Sequence, residues 1–413
     1  MRERQILLSR LVSARAATDA LFGMVKAEAM YDRPIPERHR IVFYVGHLEA
    51  FDWNLLRQFG NQAGGETDLD RLFAFGIDPM GGNLPTDSPR DWPRLEIVGE
   101  YRDRLRLELD DMLASAEVPD ELMNIAIEHR LMHAETLTYI LHQLPYAHKE
   151  RQTARDVIQD RPFTPGSVRI PPGAVTLGLS RNSSEFGWDN EFEEHSVDVP
   201  GFTIDKYKVT NGQFLQFLRD GSYTNRSLWT GPDWEWRAAN DISHPVFWAR
   251  NGDTWSYRSM FDQIPLPRDW PAYVSHAEAS AYARWAGKML PTEAEWQRAA
   301  GGSQVNLERQ RSLGDTWDPA PVDDCAGRES PFGIRGMFAN GWEWTSGEFA
   351  PFPGFRPSPS YPGYSAPFFD GKHYVLKGGS VRTAACMLRP SFRNWFQPHY
   401  QYVYAGFRCV SHD

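Results

Sequence analysis

The sequence predicts two domains of class α + (α+β): a bundle of four helices, then an α+β domain made mostly of loop. Three observations predict this. Before residue 145, apolar residues recur at three- and four-residue spacing in four long runs, the pattern of helices that bury one face. A polar stretch from Tyr146 to Gly166 then interrupts the pattern, with Lys149, Glu150 and Arg151 leading to Arg161-Pro-Phe-Thr-Pro165, as domain linkers do. Beyond it, Gly, Pro, Trp and Asn divide the chain into short segments. At 413 residues and 41% hydrophobic content, the chain is long enough for two cores. The expected limits are residues 1–150 and 165–413.

The first helix is expected over residues 4 to about 30, where Leu7, Leu8, Leu11, Ala14, Leu21, Phe22 and Val25 alternate with charges. A second runs from Arg38 to Gln58 and carries Phe43, His47, Phe51 and Leu55 on one face. Ala74 to Trp92 is a long loop rich in Gly, Pro and Asp, and so long a loop in a compact domain is often functional. It offers Asp78, Asn83, Thr86, Asp87 and Ser88, with Arg90 as its only base. The third helix spans Pro93 to about Ser115 and the fourth Pro119 to Leu144. In the second domain, Val168 to Gly178 and Val197 to Tyr207 read as short strands, and Asn211–Leu218 and His276–Gly287 as the clearest helices. There is no internal repeat.

The bulk numbers exclude several function classes. A net charge of −10 with no basic run argues against a nucleic-acid partner. No stretch reaches eighteen apolar residues and the N-terminus Met-Arg-Glu-Arg-Gln has no signal-peptide core, so no membrane segment is expected and the expected location is the cytoplasm. Cys325, Cys386 and Cys409 form no CxxC pair and no disulfide framework, which fits a reducing compartment and speaks against zinc-thiolate. Fifteen Trp, sixteen Tyr and twenty-four Phe can fill cores or build pockets for flat or cationic ligands.

The fourth helix holds His129-Arg-Leu-Met-His133-Ala-Glu135. His129 and His133 stand one turn apart on one side, and neutral imidazoles so placed can lean towards a common iron, zinc or copper ion. Glu135, roughly 200° round the helix from His133, cannot easily share that ion. Both histidines also suit a plain structural role in a core. His47, among aromatics on the second helix, is either a packed core histidine or a third ligand, since bundles commonly hold metals between facing helices.

In the second domain, Ile204-Asp-Lys-Tyr-Lys-Val-Thr-Asn211, Lys288-Met-Leu-Pro-Thr-Glu-Ala-Glu-Trp296, Asn340-Gly-Trp-Glu-Trp-Thr345, Lys377-Gly-Gly-Ser380 and Ala405-Gly-Phe-Arg408 together resemble the formylglycine-generating-enzyme (sulfatase-modifying-factor) fold, a C-type-lectin-like architecture. The blocks span nearly all of residues 165–410. The first domain resembles the DinB-like four-helix bundle, whose HxxxHxE motif is met by His129, His133 and Glu135. Their fusion resembles the ergothioneine-pathway sulfoxide synthases and the related selenoneine synthases, non-haem iron enzymes that join sulfur or selenium to the imidazole of hercynine, the trimethylated betaine of histidine. The resemblance implies iron(II) on His47, His129 and His133, with dioxygen and a chalcogen donor as co-substrates. It implies that Asn394 and Trp395 of Arg393-Asn-Trp395 line the betaine pocket. Of Tyr361 and Tyr364, it implies that Tyr361 delivers a proton and Tyr364 helps to fix the substrate. The physical reading agrees, because a trimethylammonium has no donor hydrogens and needs aromatic faces and carbonyl oxygens.

The departures concern the donor. Where mycobacterial-type synthases follow the Arg-Asn-Trp block with an acid and, four residues on, an arginine that bind γ-glutamylcysteine, this chain has Phe396 and Tyr400. Met132 replaces a glutamine that touches hercynine in those enzymes. Neutral residues suit a polyhydroxylated donor, so the expectation is a selenosugar and a role in selenoneine biosynthesis, with Arg90 among the substrate contacts. The alternatives are a hercynine sulfoxide synthase using cysteine or γ-glutamylcysteine, and a ligand-binding module without chemistry. A formylglycine-generating oxidase would require a copper-binding cysteine pair that the three thiols do not match, and a thiol transferase would leave the second domain without a task. Glu343 and Glu348, in and after the Trp-Glu-Trp block, are expected to serve structural hydrogen bonds.

Overall fold

The computed structural model describes residues 2–60, 67–74, 84–150, 163–301, 316–324 and 329–412. Asp78, Asn83 and Cys325 lie outside the described residues. The chain forms two compact units, Met1–Thr153 and Ala154–Asp413.

The first unit contains α1 (Arg2–Phe22), α2 (Ile41–Leu56), α3 (Asp68–Phe73), α4 (Leu95–Ser115) and α5 (Asp120–Gln143). α1 lies along α5, and α2 lies along both α4 and α5. Leu11, Ala14 and Leu21 of α1, Phe43, Tyr44 and Leu48 of α2, and Leu105 and Leu109 of α4 are buried, as their spacing requires. The first helix ends at Phe22, short of the expected residue 30. Val25 there joins a β-bridge to Lys149, flanked by Lys26 N–H donating to His148 O and Glu150 N–H to Met24 O. The extended pairing competes successfully with a helix whose next residue is Gly23.

α3 was not expected. Thr67 caps it, accepting from the Asp70 N–H while the Asp70 carboxylate accepts from Thr67 N–H. The reciprocal cap lets a helix of six residues stand at the edge of α2.

The second unit has β1 (Ser167–Ile170), β2 (Gly173–Leu177), β3 (His195–Val199) and β4 (Phe202–Asp205), then α6 (Asn211–Arg219) and α7 (Gly231–Ala239). β5 (Trp248–Asn251), β6 (Thr254–Arg258), β7 (Gln263–Pro265), α8 (His276–Trp285) and α9 (Glu293–Ala300) follow. The described chain closes with β8 (Gly341–Glu348), β9 (Tyr374–Gly379), β10 (Asn394–Phe396), β11 (Ala405–Gly406) and β12 (Val410–Ser411). Each expected long strand is two strands, because Pro171-Pro172 and Pro200-Gly201 supply no ladder continuity. The halves pair crosswise and antiparallel, β1 with β4 and β2 with β3. The central sheet has the order β10-β9-β8-β11, so β10 is an edge. Its register sets Trp395 opposite Val375 and Phe396 opposite Tyr374.

One core of this unit joins Ile170, Val175, Phe202, Ile204, Trp296, Ile334 and Val410. Next to it Glu343, wholly buried, accepts from Arg408 Nε at 2.6 Å, Lys208 Nζ at 2.8 Å and Trp296 Nε1 at 2.9 Å. Burial opposes its charge, but Arg408 and Lys208 more than offset that and hold its pKa below the ordinary range. The structural role expected of Glu343 is what these bonds describe. Gly378, at φ +93°, passes Met337 O so closely that a Cβ would lie 2.2 Å from it, which accounts for the first glycine after Lys377.

Candidate metal centre

The structure brings His47, His129 and His133 together: one nitrogen from each lies within 4.8 Å of the others, and all three residues are buried. Nε2 of His129 and Nε2 of His133 are 3.2 Å apart, the spacing of two nitrogens that share one ion at about 2.1 Å. His47 comes from α2 and faces them, its ring centroid 5.1 Å from that of His133 and 5.6 Å from that of His129.

The imidazoles are held by their surroundings. Nδ1–H of His47 donates to Phe73 O at 2.8 Å, which fixes the tautomer and leaves Nε2 with its lone pair. That Nε2 is buried and has no hydrogen-bond partner. Phe43, one turn before His47, stacks on it at 4.7 Å, and Phe51, one turn after, stacks on His129 at 3.4 Å. Gly46 is what admits Phe73 to this site, since a Cβ at residue 46 would lie 2.5 Å from the Phe73 ring.

Burial is the largest influence on all three rings. It lowers the pKa of His47 to about 4, against the opposing bond to Phe73 O, and holds His129 and His133 well below the ordinary value. At neutral pH the cluster is therefore three uncharged imidazoles around a buried lone pair, a donor set that fits a divalent transition metal. Among the described residues no carboxylate joins the three histidines within that spacing. Glu135 is buried on α5 outside the set.

A buried ion network holds α2 against α5 behind the histidines. Arg130, adjacent to His129, donates through Nη1 and Nη2 to Glu49 at 2.9 Å each and through Nε to Asp52 at 3.1 Å. Arg106 of α4 reaches Glu49 at 2.7 Å and Asp19 of α1 at 2.7 Å. The network thus touches all four long helices. Met132 is half-buried beside His133 and offers no strong donor.

Of the loop before α4, residues 84–92 are described. Asp87 is bound by Arg33 and Arg40 and accepts from Trp92 Nε1 at 2.7 Å, while Ser88 donates through its N–H and its Oγ to Asp91 Oδ2. Partners some fifty residues earlier thus neutralise Asp87. The anchored Trp92 meets Phe43 edge-on at 5.9 Å, so this segment supports the ring that stacks on His47. Arg90 is exposed.

In the second unit Tyr361, Tyr364 and Trp395 form one cluster. Trp188 stacks on Tyr364 at 4.0 Å, Tyr364 meets Tyr361 at 5.8 Å and Trp395 edge-on at 5.3 Å, and Phe349 stacks flat on Trp395 at 4.3 Å. Strand alternation sends Asn394 and Phe396 to the other face of β10. The Asn394 carboxamide oxygen accepts from Trp395 N–H at 2.9 Å. On that other face Phe396 stacks on Tyr400 at 5.0 Å and 6°.

Residues missed by reading the sequence are Phe73, which acts through its carbonyl, and the Arg130, Glu49 and Asp52 group. The Thr67-Asp-Leu-Asp70 capping pattern was the available signal for α3.

Residues 154–413 match the sulfatase-modifying factor enzyme 1-like domain and residues 10–143 match the DinB superfamily. The hercynine oxygenase of Mycolicibacterium smegmatis is 35% identical over 98% of this chain and 99% of its own length. The hercynine oxygenase of Mycobacterium tuberculosis is 38% identical over 57% of this chain and 58% of its own length. Ergothioneine biosynthesis protein 1 of Neurospora crassa is 26% identical over 94% of this chain, which spans only 55% of that fungal protein. No helix among the described residues is long and apolar enough to cross a membrane.

Proposed function

Because the chain belongs to the hercynine oxygenase family, with a DinB domain and a sulfatase-modifying-factor domain in one enzyme, we propose that it is an iron(II)- and dioxygen-dependent synthase. It joins a chalcogen to the imidazole of hercynine, with a selenosugar as donor. The observation that carries the reading is the buried set of three neutral imidazoles. Bound by His47, His129 and His133, non-haem iron(II) would supply the activation of dioxygen, the oxidant that takes up the electrons released when an imidazole C–H bond is exchanged for a carbon-chalcogen bond.

The residues of this chain perform the rest. Phe73 O and the stacked rings of Phe43 and Phe51 hold the imidazoles in one orientation, so that metal binding costs little reorganisation. Trp395 presents a ring to the trimethylammonium, an attraction of about 0.5–2 kcal/mol according to how dry the contact is, while Asn394, on the other face of β10, steadies the backbone there by accepting from Trp395 N–H. Tyr364, pinned by Trp188, fixes the position of hercynine. Tyr361, half-buried beside it, holds a phenolic proton for transfer as the new bond forms. Phe396 and Tyr400 shape the donor's place with a stacked pair that carries no charge.

A second reading keeps the chemistry and replaces the donor with cysteine or γ-glutamylcysteine. The fungal relatives' name, ergothioneine biosynthesis protein 1, favours it.

The test is anaerobic reconstitution with iron(II), then oxygen and hercynine with a selenosugar, cysteine or γ-glutamylcysteine in parallel, products read by mass spectrometry. An adduct with the selenosugar alone is expected. An adduct with a thiol alone establishes the second reading, and bound iron with no adduct from any donor overturns both.

A further inference from the structure

His47 owes its orientation to a carbonyl on α3, and α3 is too short to place that carbonyl by itself. Its six residues fall short of the roughly 12–15 at which an isolated helix becomes even marginal in water, so its position and its rotation about its own axis come from what it touches. Two of its residues are buried, Asp70 and Phe73, and at i and i+3 they share a face. Tyr101 of α4, itself buried, meets both. Its hydroxyl donates to Asp70 Oδ1 at 2.8 Å, and its ring packs on the Phe73 ring with the centroids 5.4 Å apart.

The two contacts differ in kind. Apolar packing is non-directional and lets a short helix roll, whereas a hydrogen bond to a carboxylate has a preferred line and is about twice as strong as one between neutral groups. The other oxygen of Asp70, Oδ2, accepts from Thr67 N–H at 2.7 Å and from Thr67 Oγ1 at 2.8 Å. One carboxylate therefore closes the start of α3 with one oxygen and ties the helix to α4 with the other. Burial opposes its charge, but the bonds from Thr67 and Tyr101 outweigh that and hold its pKa below the ordinary range. At the far end of α3 the Phe73 carbonyl belongs to the last turn, whose acceptors have no partner inside the helix, and it takes the Nδ1–H of His47 at 2.8 Å. A continuous line of contacts thus runs from the Tyr101 hydroxyl through Asp70 and α3 to the His47 ring.

We propose that Tyr101 and Asp70 are positioning residues of the metal centre: they set the rotation of α3 so that Phe73 O keeps the proton of His47 on Nδ1 and leaves Nε2 open to an ion. The inference deepens the metal assignment above and rests on it for the ion, while the tautomer needs none. An imidazole released from that carbonyl shares its proton between both nitrogens, and the fraction protonated on Nε2 has no lone pair there to give. A tie that served the bundle alone would alter stability without altering which nitrogen carries the proton.

The test compares the wild type with Tyr101→Phe, which keeps the ring on Phe73 and removes only the hydroxyl, and with Asp70→Ala. One readout is NMR of isotope-labelled histidine nitrogens in the full, metal-free chain at neutral pH, the His47 signals being assigned by their loss in His47→Gln. The other is cobalt(II) affinity by chelator competition. Wild-type His47 should be protonated on Nδ1 alone. In both variants the Nε2–H form should appear and cobalt(II) affinity should fall about tenfold, the lower end of what the loss of a partner behind a metal ligand does, with the circular dichroism of the wild type retained. A folded variant in which either readout keeps its wild-type value overturns the proposal, whatever its Tm, and so does wild-type His47 protonated on Nε2. If Asp70→Ala does not fold, Tyr101→Phe decides. His129→Ala should lose cobalt(II) and keep the His47 tautomer. Should the wild type bind no cobalt(II), the metal assignment fails and the tautomer alone decides the positioning.

Discussion

Arg130→Met tests whether the buried ion network positions the metal centre. Arg130 has no exposed side-chain surface, and Glu49 and Asp52 have almost none. Removing the guanidinium leaves both carboxylates in the interior, and breaking such a pair costs about 3–5 kcal/mol. Arg106 still reaches Glu49 at 2.7 Å, so the loss belongs near the lower end, about 3 kcal/mol. For a body of the first unit's size, this lowers Tm by about 6–12 °C. Calorimetry of the full chain should show one of two transitions moving by that amount while the other stays. Iron content after reconstitution, measured by mass spectrometry, should fall with it, because α2 and α5 carry between them the three histidines proposed as ligands. The triple variant Glu49→Gln, Asp52→Asn, Arg130→Met, which removes the charges together, should recover most of the stability. A shift under about 2 °C in the single variant, less than 1 kcal/mol, would refute the argument that this network holds the helices in register.

Four further outcomes are expected. Gly46→Ala should leave α2 helical but push the Phe73 ring aside, freeing His47 Nδ1, and a chelator competition should find metal affinity reduced by about 10–100-fold. Glu343→Gln should cost about 3–5 kcal/mol at pH 7 by leaving Arg408 and Lys208 uncompensated; since the folded pKa of Glu343 is depressed, its contribution is present above the unfolded value of about 4.3 and is lost as pH falls through the folded one, so the gap between melts of variant and wild type should narrow as pH falls below about 4. Tyr361→Phe should keep full iron and change product distribution or rate, whereas His129→Ala should lose both iron and turnover; a His129 variant with full iron content contradicts the metal assignment. Phe396→Asp with Tyr400→Arg should raise turnover with γ-glutamylcysteine relative to the selenosugar, and an unchanged donor ratio removes these positions from donor choice.

Much of the site was legible because helices are periodic. Spacing alone put His129 and His133 on one side of α5 and His47 among the aromatic residues of α2, and bundle packing then supplied the meeting of the two helices. What stayed hidden depended on partners distant in sequence. Asp87 read as a ligand group in a polar loop, yet Arg33 and Arg40 occupy it. α3 is too short for periodicity, and its contribution to His47 is a backbone carbonyl, which any residue could supply. The end of α1 at Phe22 reflects a bridge to Lys149, 124 positions on from Val25. The blocks of the second domain, by contrast, are dominated by residues with fixed local duties, such as Gly378 at positive φ and Glu343 under Arg408, and therefore read plainly in one dimension.

The two faces of β10 suggest how one scaffold can keep its acceptor while changing its donor. Trp395 sits in a cluster with Phe349, Tyr364 and Phe368, so altering it disturbs several rings at once. Phe396 has Tyr400 as its stacked neighbour across a surface of half-exposed side chains, and a change there leaves the other face intact. Discrimination then follows from what is left unpaired. An aromatic pair is worth about 0.5–1.5 kcal/mol beyond its area, but a donor that buries an ammonium or a carboxylate against uncharged rings loses about 1–3 kcal/mol for each group left without a partner, and more where charge is involved. Two such groups, about 2–6 kcal/mol together, amount to roughly thirtyfold to ten-thousandfold against an amino-acid donor. A neutral polyhydroxylated donor incurs no such penalty at Phe396 and Tyr400, so the uncharged pair selects by excluding charge rather than by binding more tightly.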